Sequence, residues 1–411
     1  MKTRNGLLLG LLACVLLSCV TPKVVVTDTP RAVVTQSAKY AEWANAIAAA
    51  DFDAAEKMAK TENEKNLTTA LKALYEKDPL KAEKYFGQAA DSASDYRKDL
   101  LRSYYFRHGM HQEYADLSKK LNIEIPEIVN RLLAFPPSKI HADKPVAAPI
   151  VKLNRGGTPI VEALVNGVRK RFMIDTGFSS TCISKKTAEQ GNVKSEDSNL
   201  MLVDAHNRAK AKNKAGYIES FQIGGLNIEN QPVLVLPDIS LRFLGIPLFT
   251  IDGVIGWDIL QQLNVKIDWK NKEVTFSKSK KSVQNGNLNA ITSPFIVMTT
   301  DAGLPVFFHL DTGCRKAYFF EAAADRIGKK HARHKYSVSF GMNSNRLDKD
   351  KLFKDINLKL GDKNFYFDKI QMMKIEDLSG FVTLHGRTGN NMFKNGIVEF
   401  DYQAGYFNYY E

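Results

Sequence analysis

Cysteine is scarce in this 411-residue chain: there are four, and Cys14 and Cys19 both fall in the N-terminal segment. That leaves only Cys182 and Cys314 for the rest. Two cysteines do not make a disulfide framework, and both are expected to be free thiols. No apolar stretch matches the run of about 20 residues that a spanning helix needs, which excludes a polytopic membrane protein. Low-complexity and collagen-like composition is also missing: 44% of residues are apolar and 25% charged, ordinary for a globular chain. Acidic residues are the minority, 45 against 57 Lys and Arg, for a formal charge of +12. The excess is scattered, as in Lys278-Ser279-Lys280-Lys281. No basic patch interleaves with aromatics, so nucleic-acid binding is not expected. Histidine is sparse, and His331 and His334 lack a third ligand at useful spacing, so neither a metal site nor a cofactor is expected. Ser179-Ser180 lacks the Gly-x-Ser-x-Gly setting of a serine hydrolase.

What is present divides the chain. At roughly 150 residues per domain the length predicts two or three domains. Residues 1–19 have the parts of an export signal: Lys2 and Arg4, an apolar stretch from Leu7 to Leu17, and then Leu16-Leu17-Ser18-Cys19. The last four residues resemble a bacterial lipobox. The resemblance implies cleavage before Cys19, acylation of its sulfur and a lipid anchor, and so an extracytoplasmic, membrane-anchored protein of the bacterial cell envelope. Residues 20–35 are rich in Thr and Val with no helical period, and read as a tether.

Residues 36–133 favour helix, being rich in Ala, Glu, Lys, Leu and Tyr. Asp51-Phe52-Asp53 and Asp78-Pro79 are helix-start signals. The segment Asp51–Lys57 is echoed by Asp78–Lys84. The region resembles degenerate helical-hairpin repeats of the tetratricopeptide type; a simple helical bundle is the alternative. It offers a place for a protein partner and no residue that suggests chemistry. Residues 134–149, with Pro136, Pro137, Pro145 and Pro149, read as a linker.

Beyond Ile150, short runs rich in Val, Ile and Phe alternate with Gly, Asn and Asp turns, which predicts many short strands. Asn166-Gly167 suits a tight hairpin turn. The region is duplicated. Phe172-Met173-Ile174-Asp175-Thr176-Gly177 is matched by Phe308-His309-Leu310-Asp311-Thr312-Gly313, with a glycine eight residues before each aspartate, Gly167 and Gly303. Further on, Gly256-Trp257-Asp258-Ile259-Leu260 aligns with Gly389-Asn390-Asn391-Met392-Phe393, and Val265–Trp269 with Val398–Tyr402. The offset is 136 residues at the first pair and 133 at the others. Two homologous lobes follow, 150–277 and 290–411, joined by a connector at 278–289.

With its paired Asp-Thr-Gly motifs and Val254-Ile255-Gly256, this part of the chain resembles the retropepsin-like bacterial aspartic peptidases. The resemblance implies two β-barrel lobes with a cleft between them. The fold class is thus multidomain, α plus all-β: a helical repeat or bundle followed by a bilobal β-barrel. It implies that Asp175 and Asp311 are the catalytic pair, supported by Thr176, Gly177, Thr312 and Gly313. Two carboxyls close together share one proton, supplying an acid and a base for attack of water on a peptide bond; the sequence does not say which holds the proton. Flap hairpins over a peptide or protein substrate are expected at Asp204, Ala205 and His206 in lobe one and at Gly341, Met342 and Asn343 in lobe two. The catalytic part is expected to be a monomer. Phe178 and Cys314 replace the small residue usual after Asp-Thr-Gly. Arg387-Thr388-Gly389, where lobe one has Val254-Ile255-Gly256, lacks the apolar pair. The alternative reading is therefore a non-catalytic, peptide-binding lipoprotein that keeps the cleft.

Overall fold

The computed structural model describes residues 24–29, 40–89, 96–153, 157–203, 210–237, 240–243, 246–280, 286–328, 333–340, 345–373 and 378–411. Cys19 and both expected flap tips (Asp204, Ala205 and His206; Gly341, Met342 and Asn343) lie outside these residues. Among those described, no helix is long and apolar enough to cross a membrane.

The N-terminal region is helical, and its helices start where the sequence offers an acceptor for orphan amides. Asp51 caps Phe52–Met58 by accepting from Ala54 N. Thr61 and Glu64 form a reciprocal capping box on Glu62–Tyr75. Asp78 caps Pro79–Gln88, with Pro79 in the first turn. Leu71, Leu74, Ala82, Phe86 and Tyr105 from successive helices are fully buried.

Each lobe closes into a six-stranded barrel. In lobe one Pro159–Val165 pairs with Val168–Ile174 across the Asn166-Gly167 turn, whose two residues have φ of 48° and 85°. Val168–Ile174 runs parallel to Gly253–Ile255, which pairs with Cys182–Ser184. Leu226–Leu236 and Lys210–Ile223 follow, and the last returns to Pro159–Val165. Lobe two repeats the circuit in the same order with Pro294–Thr300, Pro305–His309, Gly386–Arg387, Tyr318–Phe320, Lys363–Met373 and Asn345–Leu360. Closure pairs most of the edges that a single sheet would leave open. Phe172 packs on Phe221 inside the first barrel, with ring centroids 5.0 Å apart, and Phe308 packs on Phe319 inside the second at 5.7 Å.

The lobes are also joined by main chain. The lobe-one hairpin Leu263–Asp268 and Glu273–Lys278 pairs with Ile397–Asp401 of lobe two, Val265 opposite Phe400, and Tyr406–Tyr410 completes the sheet. The end of the 290–411 segment thus belongs to a sheet shared by both lobes.

Three segments read as connections are partly strand. Val24–Asp28, placed in the tether, pairs antiparallel with Lys363–Phe367. That half of the Lys363–Met373 strand is not covered by Tyr318–Phe320, and the Val-rich segment fills the vacancy. Within the proline-rich linker, Lys139–His141 pairs with Asn227–Glu229, and Val146–Leu153 pairs with both Glu273–Phe276 and Pro159–Val161. The connector at 278–289 ends in the strand Leu288–Ala290.

The helical region docks on both lobes. Tyr75 packs on Phe295 of lobe two at 6.2 Å, and Phe52 on Phe381 at 6.1 Å. Lys77, whose pKa burial lowers to about 8, donates to Tyr402 O and lies 4.3 Å above that ring. His108 stacks on Tyr402 at 5.4 Å and bonds Gln261 of lobe one at 2.8 Å. Burial lowers its pKa to about 4, so the ring is neutral. Replacing Gln261 by Leu leaves buried His108 Nδ1 without this partner, at a cost of about 1–3 kcal/mol. Urea unfolding of the full chain is expected to shift to lower denaturant by that amount; an unchanged midpoint would show the junction to be unimportant.

Candidate active site

The two Asp-Thr-Gly loops leave their barrels side by side and are locked by a crossed set of hydrogen bonds. Thr176 N donates to Thr312 Oγ1 at 3.0 Å, and Thr312 N donates to Thr176 Oγ1 at 3.0 Å. Each hydroxyl donates onward to the strand feeding the other loop: Thr176 Oγ1 to Leu310 O at 2.7 Å, and Thr312 Oγ1 to Ile174 O at 3.0 Å. Both threonines are buried. A hydroxyl is needed here because it must accept one bond and donate another.

This lock places each carboxyl against the opposite loop. A β-carbon at Gly313 would lie 2.3 Å from Asp175 Oδ2, and one at Gly177 would lie 2.9 Å from Asp311 Oδ1 and 3.2 Å from Asp175 Oδ1. Both carboxyls thus border one small space that only glycine leaves open. Gly177 N donates to Asp175 Oδ1 at 2.9 Å. Asp175 and Asp311 are 9% and 8% exposed. Burial first, and the Asp311 charge second, push the Asp175 carboxyl up to about 7, against the opposing pull of the Gly177 and Gly313 amides and of Arg387.

The segments beside the loops are equivalent in register and different in chemistry. Val254 stands opposite Met173 and Cys182; Arg387 stands at the corresponding point, opposite His309 and Tyr318. In lobe one Asp175 N donates to Ile255 O at 3.1 Å. In lobe two Asp311 N instead donates to Thr388 Oγ1 at 2.9 Å, and Thr388 N donates to His309 O at 2.9 Å. Arg387 pairs with Asp311, Nη1 to Oδ2 at 3.3 Å. The polar segment Arg387-Thr388-Gly389 therefore supports Asp311 through side chains, where lobe one uses backbone.

A second symmetric pair was visible in the sequence only as an alignment. Asp258 accepts from Thr181 N and Thr181 Oγ1, both at 2.8 Å, and Asn391 Oδ1 accepts from Ala317 N at 2.8 Å. Each ties down the chain just after its loop. Burial raises Asp258 to about 6. The backbone matches as well: Trp257 N donates to Phe178 O at 2.7 Å and Asn390 N to Cys314 O at 2.9 Å. The aligned runs beginning Gly256 and Gly389 carried this signal.

Phe178 packs its ring against a buried apolar cluster that includes Ile160, Cys182 and Val254. Cys182 and Cys314 are free, as their number predicted. Burial and then the Asp311 charge push the Cys314 thiol up to about 12, so it stays protonated. Among the described residues no group of three or more His, Cys, Asp and Glu is arranged to hold a metal ion.

Thr312→Val removes the acceptor for Thr176 N and the donor to Ile174 O at nearly constant volume. It is expected to cost about 1–3 kcal/mol by leaving buried groups unpaired, read as a thermal midpoint below the parent's. Equal midpoints would show that the crossed bonds do not hold the loops.

No curated protein matches this chain. Among solved structures, a retropepsin-like aspartic protease from Rickettsia conorii is 21% identical over 34% of this chain and 94% of its own, with a TM-score of 0.21. The aspartyl protease family model matches residues 161–259, which run from the strand before the first Asp-Thr-Gly loop through Val254-Ile255-Gly256. Over residues 161–259 the chain is similar to the aspartyl protease family.

Proposed function

We propose that the chain is an exported, lipid-anchored aspartic endopeptidase that hydrolyses peptide bonds with Asp175 and Asp311. The observation that carries this reading is the pair of buried carboxyls facing one another across the crossed threonine bonds. A scaffold gains nothing from two adjacent buried acids, because burial of ionisable groups is costly. The aspartyl protease match over residues 161–259 points the same way.

The chemistry follows from the shared proton. Two neighbouring buried carboxyls do not both ionise easily, so at mildly acidic pH one is protonated and one is not. The ionised member takes a proton from a water as its oxygen attacks the peptide carbonyl. The protonated member donates to the carbonyl oxygen. As the tetrahedral species collapses, a proton passes to the leaving nitrogen and the C–N bond breaks. Thr176 and Thr312 hold the loops rigid, and Gly177 and Gly313 leave room for the water.

Export and anchoring rest on the Lys2–Cys19 segment, with Cys19 as the acylated residue. The flap role of residues near Asp204–His206 and Gly341–Asn343 rests on their position in each lobe. The helical region, tetratricopeptide-like in sequence, is read as a surface for a protein partner.

The reading is tested by incubating the chain from about residue 24 onward with a diverse peptide library. The parent is expected to cleave, and Asp175→Asn to lose about 10²–10⁴-fold in rate. Peptide binding by the parent without cleavage would favour the non-catalytic, peptide-binding reading instead.

A pH effect on stability accompanies this. Asp175 titrates at about 7 in the folded chain against 3.8 for the free side chain. Between those values the folded state binds more protons, so this group's contribution is full below about 3.8 and is lost as pH rises through about 7. Asp175→Asn cannot ionise and escapes that loss. Its melting temperature relative to the parent is expected to rise from acid to alkaline pH; a constant difference would contradict the raised titration.

A further inference from the structure

Arg387 makes the two carboxyls inequivalent. Val254, its counterpart in lobe one, is apolar and buried. Arg387 is held over the Tyr318 ring, 5.7 Å from its centroid, and places Nη1 3.3 Å from Asp311 Oδ2. Its side chain is 22% exposed and that of Asp311 10%, so the pair is only weakly screened. Among the described residues no cationic side chain makes a salt bridge to Asp175; its carboxyl is met by backbone amides, and Arg387 lowers its pKa from farther off. The other titratable groups around Asp311 are His309, opposite Arg387 in the parallel register; Tyr318 on the next strand; Cys314 in the loop; and Asp175 across the cleft.

We propose that Arg387 is a positioning residue that fixes the division of labour in the dyad: it holds Asp311 as the ionised base and leaves the shared proton on Asp175, the acid. This deepens the peptidase reading and rests on it for its catalytic consequence. An ion pair favours the charged form of the carboxyl it touches most closely. The cycle then has one direction. Asp311 takes a proton from water as the new C–O bond forms, while Asp175 gives its proton to the carbonyl oxygen. On collapse Asp311 gives a proton to the leaving nitrogen, the C–N bond breaks, and Asp175 recovers a proton from the hydroxyl that becomes the new carbonyl. The dyad ends as it began, with one proton on Asp175. The raised titration of Asp175 agrees with this order. Arg387 also lowers the Asp175 pKa, so its loss moves that titration upward.

The test uses the full folded chain with 13C-labelled aspartate carboxyls, assigned by comparison with Asp175→Asn and Asp311→Asn. In the parent, the carboxyl that stays protonated into mildly acidic pH is expected to be Asp175. In Arg387→Met the Asp175 titration is expected to rise by about 1–3 pH units, and the alkaline limb of the pH–rate profile for peptide cleavage to move the same way. Arg387→Lys is expected to bring both back toward the parent. A purely structural role would lower rate or stability at every pH without moving that limb.

Superimposable titrations in parent and Arg387→Met, or a parent in which Asp311 holds the proton, would overturn the proposal. If Arg387→Met does not fold, the parent spectrum decides alone. If no form cleaves any peptide, the peptidase reading falls while the carboxyl spectra still report where the proton sits.

Discussion

Everything distinctive in this molecule depends on the reciprocal bonding of Thr176 and Thr312. Each threonine accepts from the other's amide and donates to the strand entering the other's loop. The four bonds tie together two barrels that also meet at a shared sheet and through the helical region. They also set the spacing of two acids, because Asp175 and Asp311 stand one residue before the locked threonines. Electrostatics then follows from geometry: burial and the second carboxyl together hold a proton that an isolated aspartate would release.

The duplicated motif was legible because its chemistry is local. Asp-Thr-Gly after an apolar strand needs only adjacent residues, and a repeat at a near-constant offset identifies two lobes. The Asn166-Gly167 turn and the Asp78-Pro79 helix start were readable for the same reason, as each fixes its own backbone. What stayed hidden depends on partners far along the chain. The Val24–Asp28 strand was indistinguishable from a tether, since only an open half-edge at Lys363–Phe367 makes it a strand. The prolines at 145 and 149 marked a boundary, yet Val146–Leu153 spans both sides of it.

Arg387-Thr388-Gly389 shows where pattern matching and physical chemistry part. Measured against an apolar template it reads as a defect. In three dimensions Thr388 supplies the acceptor for Asp311 N that Ile255 supplies from its backbone to Asp175 N, and Arg387 adds a charge. The pseudo-symmetry is therefore one of backbone and register more than of side chains. Asp258 and Asn391 make the same point: one acid and one amide perform the same anchoring, and only the aligned register reveals them as a pair.

The central claim is that two buried carboxyls share one proton. Infrared difference spectra of the parent against Asp175→Asn, recorded from mildly acidic to alkaline pH, address it directly. The account predicts a protonated-carboxyl C=O band in the parent that is absent from the variant and fades as pH rises past about 7. A parent with no such band at mildly acidic pH, both carboxyls being ionised, would contradict it.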